Sequence, residues 1–159
     1  MNDFLKEIEY LGITARIKRL NDALTYSIKD LYKSQGMDIE PSWHLIFLLL
    51  KKNKQLSLVE LSKQMQISQP AITKVIKKMI AKGYVKQMTS SSDHRVKIIE
   101  LTTKSHQAFP KWEKVWDAGQ KSIAQILEDN KAFLNALTKF ENQQSNQSLS
   151  ERAQQLLED

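Results

Sequence analysis

The side chains with usable chemistry gather between residues 67 and 95. Residues 67–83 read ISQPAITKVIKKMIAKG. Ile72, Val75, Ile76 and Met79 recur at spacings of three and four, the stripe of an amphipathic helix. The opposite face carries Gln69, Thr73, Lys74, Lys77 and Lys78 and no acid. A helix packed on one side and offering hydrogen-bonding groups and cations on the other suits a DNA major groove; the plain alternative is a surface helix with a solvated lysine face. Ser68 is placed to cap the helix by accepting a free backbone N–H. Pro70 falls in the first turn, where a missing N–H costs little, and Gly83 can take the positive φ of a helix stop. Ser68, Gln69, Pro70 and Thr73 occupy the end expected in the groove, with Gln69 able to pair with adenine and Thr73 able to donate, accept or touch a thymine methyl. Lys74, Lys77 and Lys78 suit phosphates, a lysine head being a flexible point charge. A second group lies in the polar run TSSSDH and just after it: Ser91, Asp93, His94 and Arg95. At a hairpin tip Arg95 can reach a narrow A·T minor groove, and Asp93, two residues away on the same side of an extended strand, can hold the guanidinium in place. The competing reading is a surface ion pair worth about 0–1 kcal/mol. His94, with a reference pKa of about 6.5, would make such a contact pH-sensitive.

Other chemistries find little support. The chain of 159 residues has no cysteine, which excludes disulfides, thiolate nucleophiles and thiol-based sensing. His44, His94 and His106 have no helical two-histidine spacing, so no metal site is expected. No Ser/His/Asp ordering, glycine-rich phosphate loop or carboxylate cluster beside a histidine points to an enzyme, and no cofactor is implied. The formal charge of +6 is unevenly placed. Residues 51–104 hold twelve Lys and Arg against three acids, residues 1–50 six against seven, and residues 105–159 six against eight. The surplus is thus confined to the middle third, the footprint of a polyanion-binding module between near-neutral flanks. A membrane-surface patch would want large apolar anchors beside those cations. No apolar run reaches the length of a transmembrane helix, and the start MNDFLKEIEY lacks a signal peptide's basic and apolar regions, so a cytoplasmic protein is expected.

Helices must position these groups. Leu5, Ile8, Leu11, Ala15, Leu20, Leu24, Ile28 and Leu31 predict one long helix or two in succession over residues 3–34, with an irregularity near Gly12–Ile17 and a stop at Gln35-Gly36. So long a helix has more apolar surface than a small domain covers, so part of it is expected against a partner subunit. Pro41–Lys52 is apolar nearly all round (Trp43, Ile46, Phe47, Leu49, Leu50) and should be central to the core. A third helix begins at Ser57, which with Glu60 forms a capping box. Its stripe is Leu58, Leu61 and Met65. Only Gln66 and Ile67 separate it from Ser68: two short helices on a tight turn, a helix-turn-helix, although the turn lacks the common glycine. Tyr84–Met88 and Arg95–Leu101 are β-prone and form a two-stranded wing. A long helical stretch follows to about Glu128, with apolar Trp112, Val115, Trp116, Ile123, Ile126 and Leu127, in which Pro110 should kink the helix or mark its start. Lys131–Glu141 is a further helix, Asn142–Ser148 a polar linker, and Leu149–Leu157 a terminal turn or short helix.

The order of long helix, core helix, helix-turn-helix, wing with Asp-x-Arg, then Leu-Thr and a long helix resembles the MarR (multiple antibiotic resistance regulator) family. The matching text is LSLVELSKQMQISQPAITKVIKKMIAKGYVKQ and SSSDHRVKIIELT. Asp93 and Arg95 fall on the family's Asp-x-Arg positions, Leu101-Thr102 on its Leu-Thr closure. The close match covers roughly residues 55–105; the flanks agree in length and helicity. His94 replaces the arginine often found between Asp and Arg, and Ser105 stands where a glycine is common. The resemblance implies a mainly α protein: residues 1–159 as a single domain, a winged helix-turn-helix lobe at 36–104, and dimerisation helices at 1–35 and 105–159. It implies a homodimer that binds palindromic double-stranded DNA, usually represses, and is released by a small molecule, often an aromatic anion. The family's pockets lie between the dimer helices and the lobe, a region expected here to be lined by Arg16, Tyr26, Trp43, His44, Phe47 and Trp112. The alternative is that these aromatics fill the core. Against DNA reading stands a winged-helix module for protein–protein or RNA contact, although an A-form major groove is too narrow for a helix to read.

Overall fold

The computed structural model describes residues 2–89 and 95–158. In chain order it contains α1 (Phe4–Glu7), a 3-10 turn (Glu9–Gly12), α2 (Ile13–Ser34), α3 (Trp43–Asn53), β1 (Gln55–Ser57), α4 (Leu58–Met65), α5 (Gln69–Ala81), β2 (Val85–Thr89), β3 (Lys97–Leu101), α6 (Thr103–Ile126), α7 (Ala132–Asn146) and α8 (Leu149–Glu158). The chain divides into two compact units, Met1–Val115 and Trp116–Asp159. The first takes in the N-terminal helices as well as the winged lobe.

The expected irregularity near Gly12 is a break into two helices. A Cβ at Gly12 would lie 2.2 Å from the backbone oxygen of Leu5, so only glycine lets the first turn fold back there. Asp3 caps α1, accepting from the Leu5 N–H, and its carboxylate takes both terminal nitrogens of Arg19 on α2 at 2.7 and 3.1 Å. Gly36, at φ +60°, ends α2 with Gln35. Pro41 stands two residues before α3 rather than opening it, and the helix runs one residue beyond Lys52.

The core of the first unit is built on α3. Trp43, Ile46, Phe47 and Leu50 are buried on it, whereas Leu45 and Leu48 are exposed, so the helix has one core face rather than an all-round one. Phe47 is fully enclosed, its ring centroid 4.5 Å from that of Trp112, 5.8 Å from Tyr84 and 6.2 Å from Phe109. Edge contacts of this kind add to the area that each ring removes from water.

The sheet is three-stranded, in the order β1-β3-β2 and antiparallel throughout. The two-stranded wing is present, at Val85–Thr89 and Lys97–Leu101 rather than 84–88 and 95–101, and β1 adds a third strand to its sheet. Leu56 pairs with Ile99 and both are buried. At three residues, β1 is too short to show a period of two in the sequence. Ser57 ends the strand and starts α4 through the full capping box: its hydroxyl accepts from the Glu60 N–H at 3.2 Å, and Glu60 Oε2 accepts from the Ser57 N–H at 2.7 Å.

Helix α6 extends from Thr103 to Ile126 with Pro110 inside it, so the proline does not mark its start. The expected linker at Asn142–Ser148 is not one: α7 continues through Asn146. Polar Asn and Gln do not break a helix in the way Gly or Pro does, and Arg152 donates to the carbonyls of Gln143 and Gln147 at the junction. A second capping box, Ser148 with Glu151, opens α8.

Candidate nucleic-acid interface

The turn before α5 is made without glycine. Gln66 takes the left-handed conformation at φ 53°, ψ 38°, its N–H donates to the Lys63 carbonyl, and the Ile67 N–H reaches the Ser62 carbonyl. Those two bonds are the Schellman pattern for ending a helix, so the helix-turn-helix exists and its missing glycine is replaced by a residue held in a less favoured conformation.

Helix α5 buries Ile72, Ile76 and Met79, with Val75 half-buried, as the spacing requires. Ser68 stands at the N-cap position with extended backbone, but its hydroxyl makes no capping bond. Pro70, at the second helical position, removes one of the two N–H groups that an N-cap side chain can bind; the other, on Ala71, is not taken by the Ser68 hydroxyl. Ser68, Gln69 and Pro70 are therefore exposed at an open helix start. Thr73 is half-buried, and its Oγ1 donates to the Gln69 carbonyl at 2.8 Å. Its donor is spent inside the helix, leaving its lone pairs and its methyl group for a ligand.

Some cations of the middle segment are paired within the chain and others are not. Lys51 pairs with Glu113, Lys82 with Asp38 and Lys86 with Glu100 across the wing. Lys74, Lys77 and Lys78 are exposed, and none of the ion pairs among the described residues includes them. Their charge is left over for an external partner, on the face that also carries Gln69.

The other end of α5 is closed. Gly83, at φ +73°, donates to the Ile80 carbonyl at 2.8 Å, and the Tyr84 N–H to the Met79 carbonyl at 3.0 Å. Thr102 Oγ1 donates to the Gly83 carbonyl at 2.7 Å, Lys104 Nζ to the Lys82 carbonyl at 2.7 Å, and Asp38 accepts from Lys82 Nζ with both oxygens at 2.6 and 2.7 Å. That hydrogen bond raises Lys82 above its usual pKa and keeps it charged. Lys104 also lies 4.1 Å from the centre of the Tyr84 ring, and burial pushes the Tyr84 phenol up. Ser105, in the position where glycine is common, is fully buried and donates to the Tyr84 carbonyl at 2.5 Å. Sequence reasoning flagged Leu-Thr but not its task, and nothing in the sequence ties Asp38 to Lys82, forty-four residues away.

Arg95 is exposed beside the start of β3. Ser91, Asp93 and His94 lie outside the described residues, and with them the expected hold of Asp93 on Arg95. The six residues expected around an effector are not brought together. Arg16 and Tyr26 are exposed on α2, while Trp43, Phe47 and Trp112 belong to the aromatic core. His44 is half-buried and its Nδ1 donates to the Pro41 carbonyl at 2.7 Å. A cavity of about 340 Å³ instead lies beside Pro41, lined by Asn21, Thr25, Ile28, Lys29, Glu40, Pro41 and Ser42. Among the described residues no group of acids and histidines gathers as a metal site, and no helix is long and apolar enough to cross a membrane.

The arrangement is a winged helix-turn-helix. Residues 37–96 match the sequence model of the MarR family. A mutant MarR from E. coli, complexed with operator DNA, shares the fold with a TM-score of 0.67 at 19% identity, over 91% of this chain and 99% of that one. A MarR protein from Peptoclostridium difficile gives 0.65 at 22% identity, over 85% and 86%, and the transcriptional regulator BldR from Sulfolobus solfataricus 0.56 at 25%, over 92% and 99%. Comparison with curated proteins gives no match. Over residues 37–96 the chain is similar to the MarR family, and its fold is that of the solved winged-helix proteins named above.

Proposed function

We propose that this protein is a sequence-specific DNA-binding repressor that reads a palindromic operator as a homodimer. The observation that carries this reading is the exposed, acid-free face of α5, where three lysines enter no ion pair among the described residues, beside a helix start without a side-chain cap. Gln69 and the methyl of Thr73 meet base edges, Ser68 and Pro70 shape the approach, and Lys74, Lys77 and Lys78 hold phosphates. Arg95, oriented by Asp93 and flanked by Ser91 and His94, enters the minor groove. Residues 36–104 form the reading lobe, and residues 1–35 and 105–159 supply the dimer contacts. Support for pairing comes from apolar residues left exposed on those flanks, Tyr10, Leu11, Phe133, Phe140 and Leu157 among them. Support for operator reading comes also from the operator-bound relative. Selection of bound duplexes from a random library tests the reading: an inverted repeat is expected, and recovery of no preferred sequence would overturn it. On the selected duplex, Lys74→Ala should weaken binding on all sequences alike and reduce the salt slope by about one, whereas Arg95→Ala should abolish operator binding at unchanged melting temperature.

A small-molecule release step rests on the cavity beside Pro41. It is an open groove in which Lys29 offers a cation beside the Glu40 acid, Asn21, Thr25 and Ser42 polar groups, and Ile28 an apolar wall. One relative, NadR, is seen with 4-hydroxyphenylacetate. Tryptophan fluorescence titrated with aromatic acids checks this; a flat response across the panel removes the effector from the scheme.

A further inference from the structure

The two ends of helix α5 are held differently. Its start lacks a side-chain cap and is tied through the turn, where Ser62 Oγ donates to the Ile67 carbonyl at 2.6 Å, while its end is fixed by three side chains from two other parts of the chain: Asp38 on the Lys82 ammonium, Lys104 on the Lys82 carbonyl and Thr102 on the Gly83 carbonyl. From these anchors the axis runs thirteen residues, about 20 Å, to Gln69. A tilt of about 3° at the anchored end displaces the far end by about 1 Å, which is enough to take a hydrogen bond out of its narrow distance range. The buried stripe fixes which face of the helix points inward. The anchors fix where the open end points.

Resting on the reading of α5 as the base-reading helix, we propose that Asp38 is a positioning residue for operator recognition, aiming the helix from its far end through Lys82. Lys82 itself is not a base contact: it sits at the opposite end of the helix from Gln69, and its charge is already taken up by both Asp38 oxygens. Thr102 and Lys104 are joined to the wing and to the start of α6. Asp38 differs from them. It lies in the connection between α2 and α3, two residues before Glu40, which lines the cavity beside Pro41. The pair is exposed on both sides, so its loss leaves no buried charge behind.

The test compares the full-length protein and its variants on the selected operator and on a scrambled duplex by fluorescence anisotropy. Asp38→Asn is expected to weaken operator binding about five- to tenfold, the lower part of what one well-made base contact is worth. Scrambled-duplex affinity should stay level or rise, because a negative charge has gone. The double variant Asp38→Lys with Lys82→Asp should restore the ratio of the two affinities, which a general loss of stability would not. Melting temperatures are followed for each variant. An unchanged ratio in Asp38→Asn overturns the proposal, as does a parallel rise on both duplexes, which would mean that Asp38 merely repels DNA. If the unaltered protein shows no preference between the duplexes, it is operator reading itself that fails.

Discussion

Met1–Val115 and Trp116–Asp159 carry apolar residues at similar helical spacings, yet only the first unit encloses them. Ile46, Phe47, Leu50, Leu61, Ile72, Ile76 and Met79 are almost wholly out of water. In the second unit Phe133, Leu134, Leu137 and Phe140 recur at three and four along α7, and all are exposed, as are Leu149, Leu156 and Leu157 on α8; no described residue beyond Val115 is buried. A stripe shows that a helix has a face to cover. It does not show that the same chain covers it. Helices of 15 and 10 residues are marginal alone in water, and the described part of the second unit encloses no core, whereas the first owns one; the homodimer proposed above would cover these faces.

That contrast breaks most sharply at Phe47. Phe47→Ala should cost about 3–5 kcal/mol through lost burial and the cavity left behind, seen as a large drop in the urea midpoint of the whole first unit. Leu137→Glu should do the opposite: little change in the melting of the first unit, but roughly a hundredfold or greater weakening of self-association in sedimentation equilibrium, from an unpaired charge placed in an apolar contact. Undiminished self-association would mean that α7 is not the contact.

The two capping boxes sharpen the comparison, because one motif occurs in both settings. Ser57→Ala should cost about 1 kcal/mol of cooperative stability. Ser148→Ala should lower helicity in circular dichroism without moving that transition, since α8 buries nothing. Glu60 is held below its usual 4.5 by the Ser57 N–H and then by its hydroxyl, Glu151 by the Ser148 hydroxyl and then the N–H. A depressed carboxylate stabilises the fold above its ordinary value and loses that contribution as pH falls through the folded one. Acidification below 4.5 should therefore weaken the cooperative transition through Glu60 and fray α8 separately through Glu151. The smallest effect is a gain. Gln66→Gly, at φ 53°, should stabilise by about 0.5–1 kcal/mol, the relief of a left-handed side chain less the entropy of glycine.

The parts of this fold legible in the sequence are those where one short stretch determines its own structure. The α5 stripe, the Gly83 stop, the Ser57–Glu60 box and the wing strands all follow from neighbours within about a turn or a strand. What could not be read depends on partners far along the chain. Strand β1 exists because β3 comes to meet it. Asp38 meets Lys82 only once α2 and α5 have been placed. Of the aromatics expected around an effector, Phe47 packs on Trp112 and Trp43 on Tyr84 in the core, while Tyr26 is exposed. Composition cannot separate those outcomes, because a pocket wall and a core use the same side chains. The run 142–146 shows the reverse error: polar text suggests a linker, but Gln and Asn continue a helix when nothing stops it.

The junction at the base of the wing has a consequence for how the protein can vary. The Tyr84 carbonyl accepts from the Thr102 N–H and the Ser105 hydroxyl, the Thr102 hydroxyl bonds the neighbouring Gly83 carbonyl, and Val85 pairs with Leu101 just above. Both feet of the hairpin are thereby tied to one point. Thr89 pairs with Lys97 at the outermost described rung, and the entropy of closing a segment between two such points grows only logarithmically, by about 0.6 kcal/mol for each doubling of its length. A change in the number of joining residues should therefore cost little while these ties hold. The wing can change its length and reach while the rest of the lobe stays fixed.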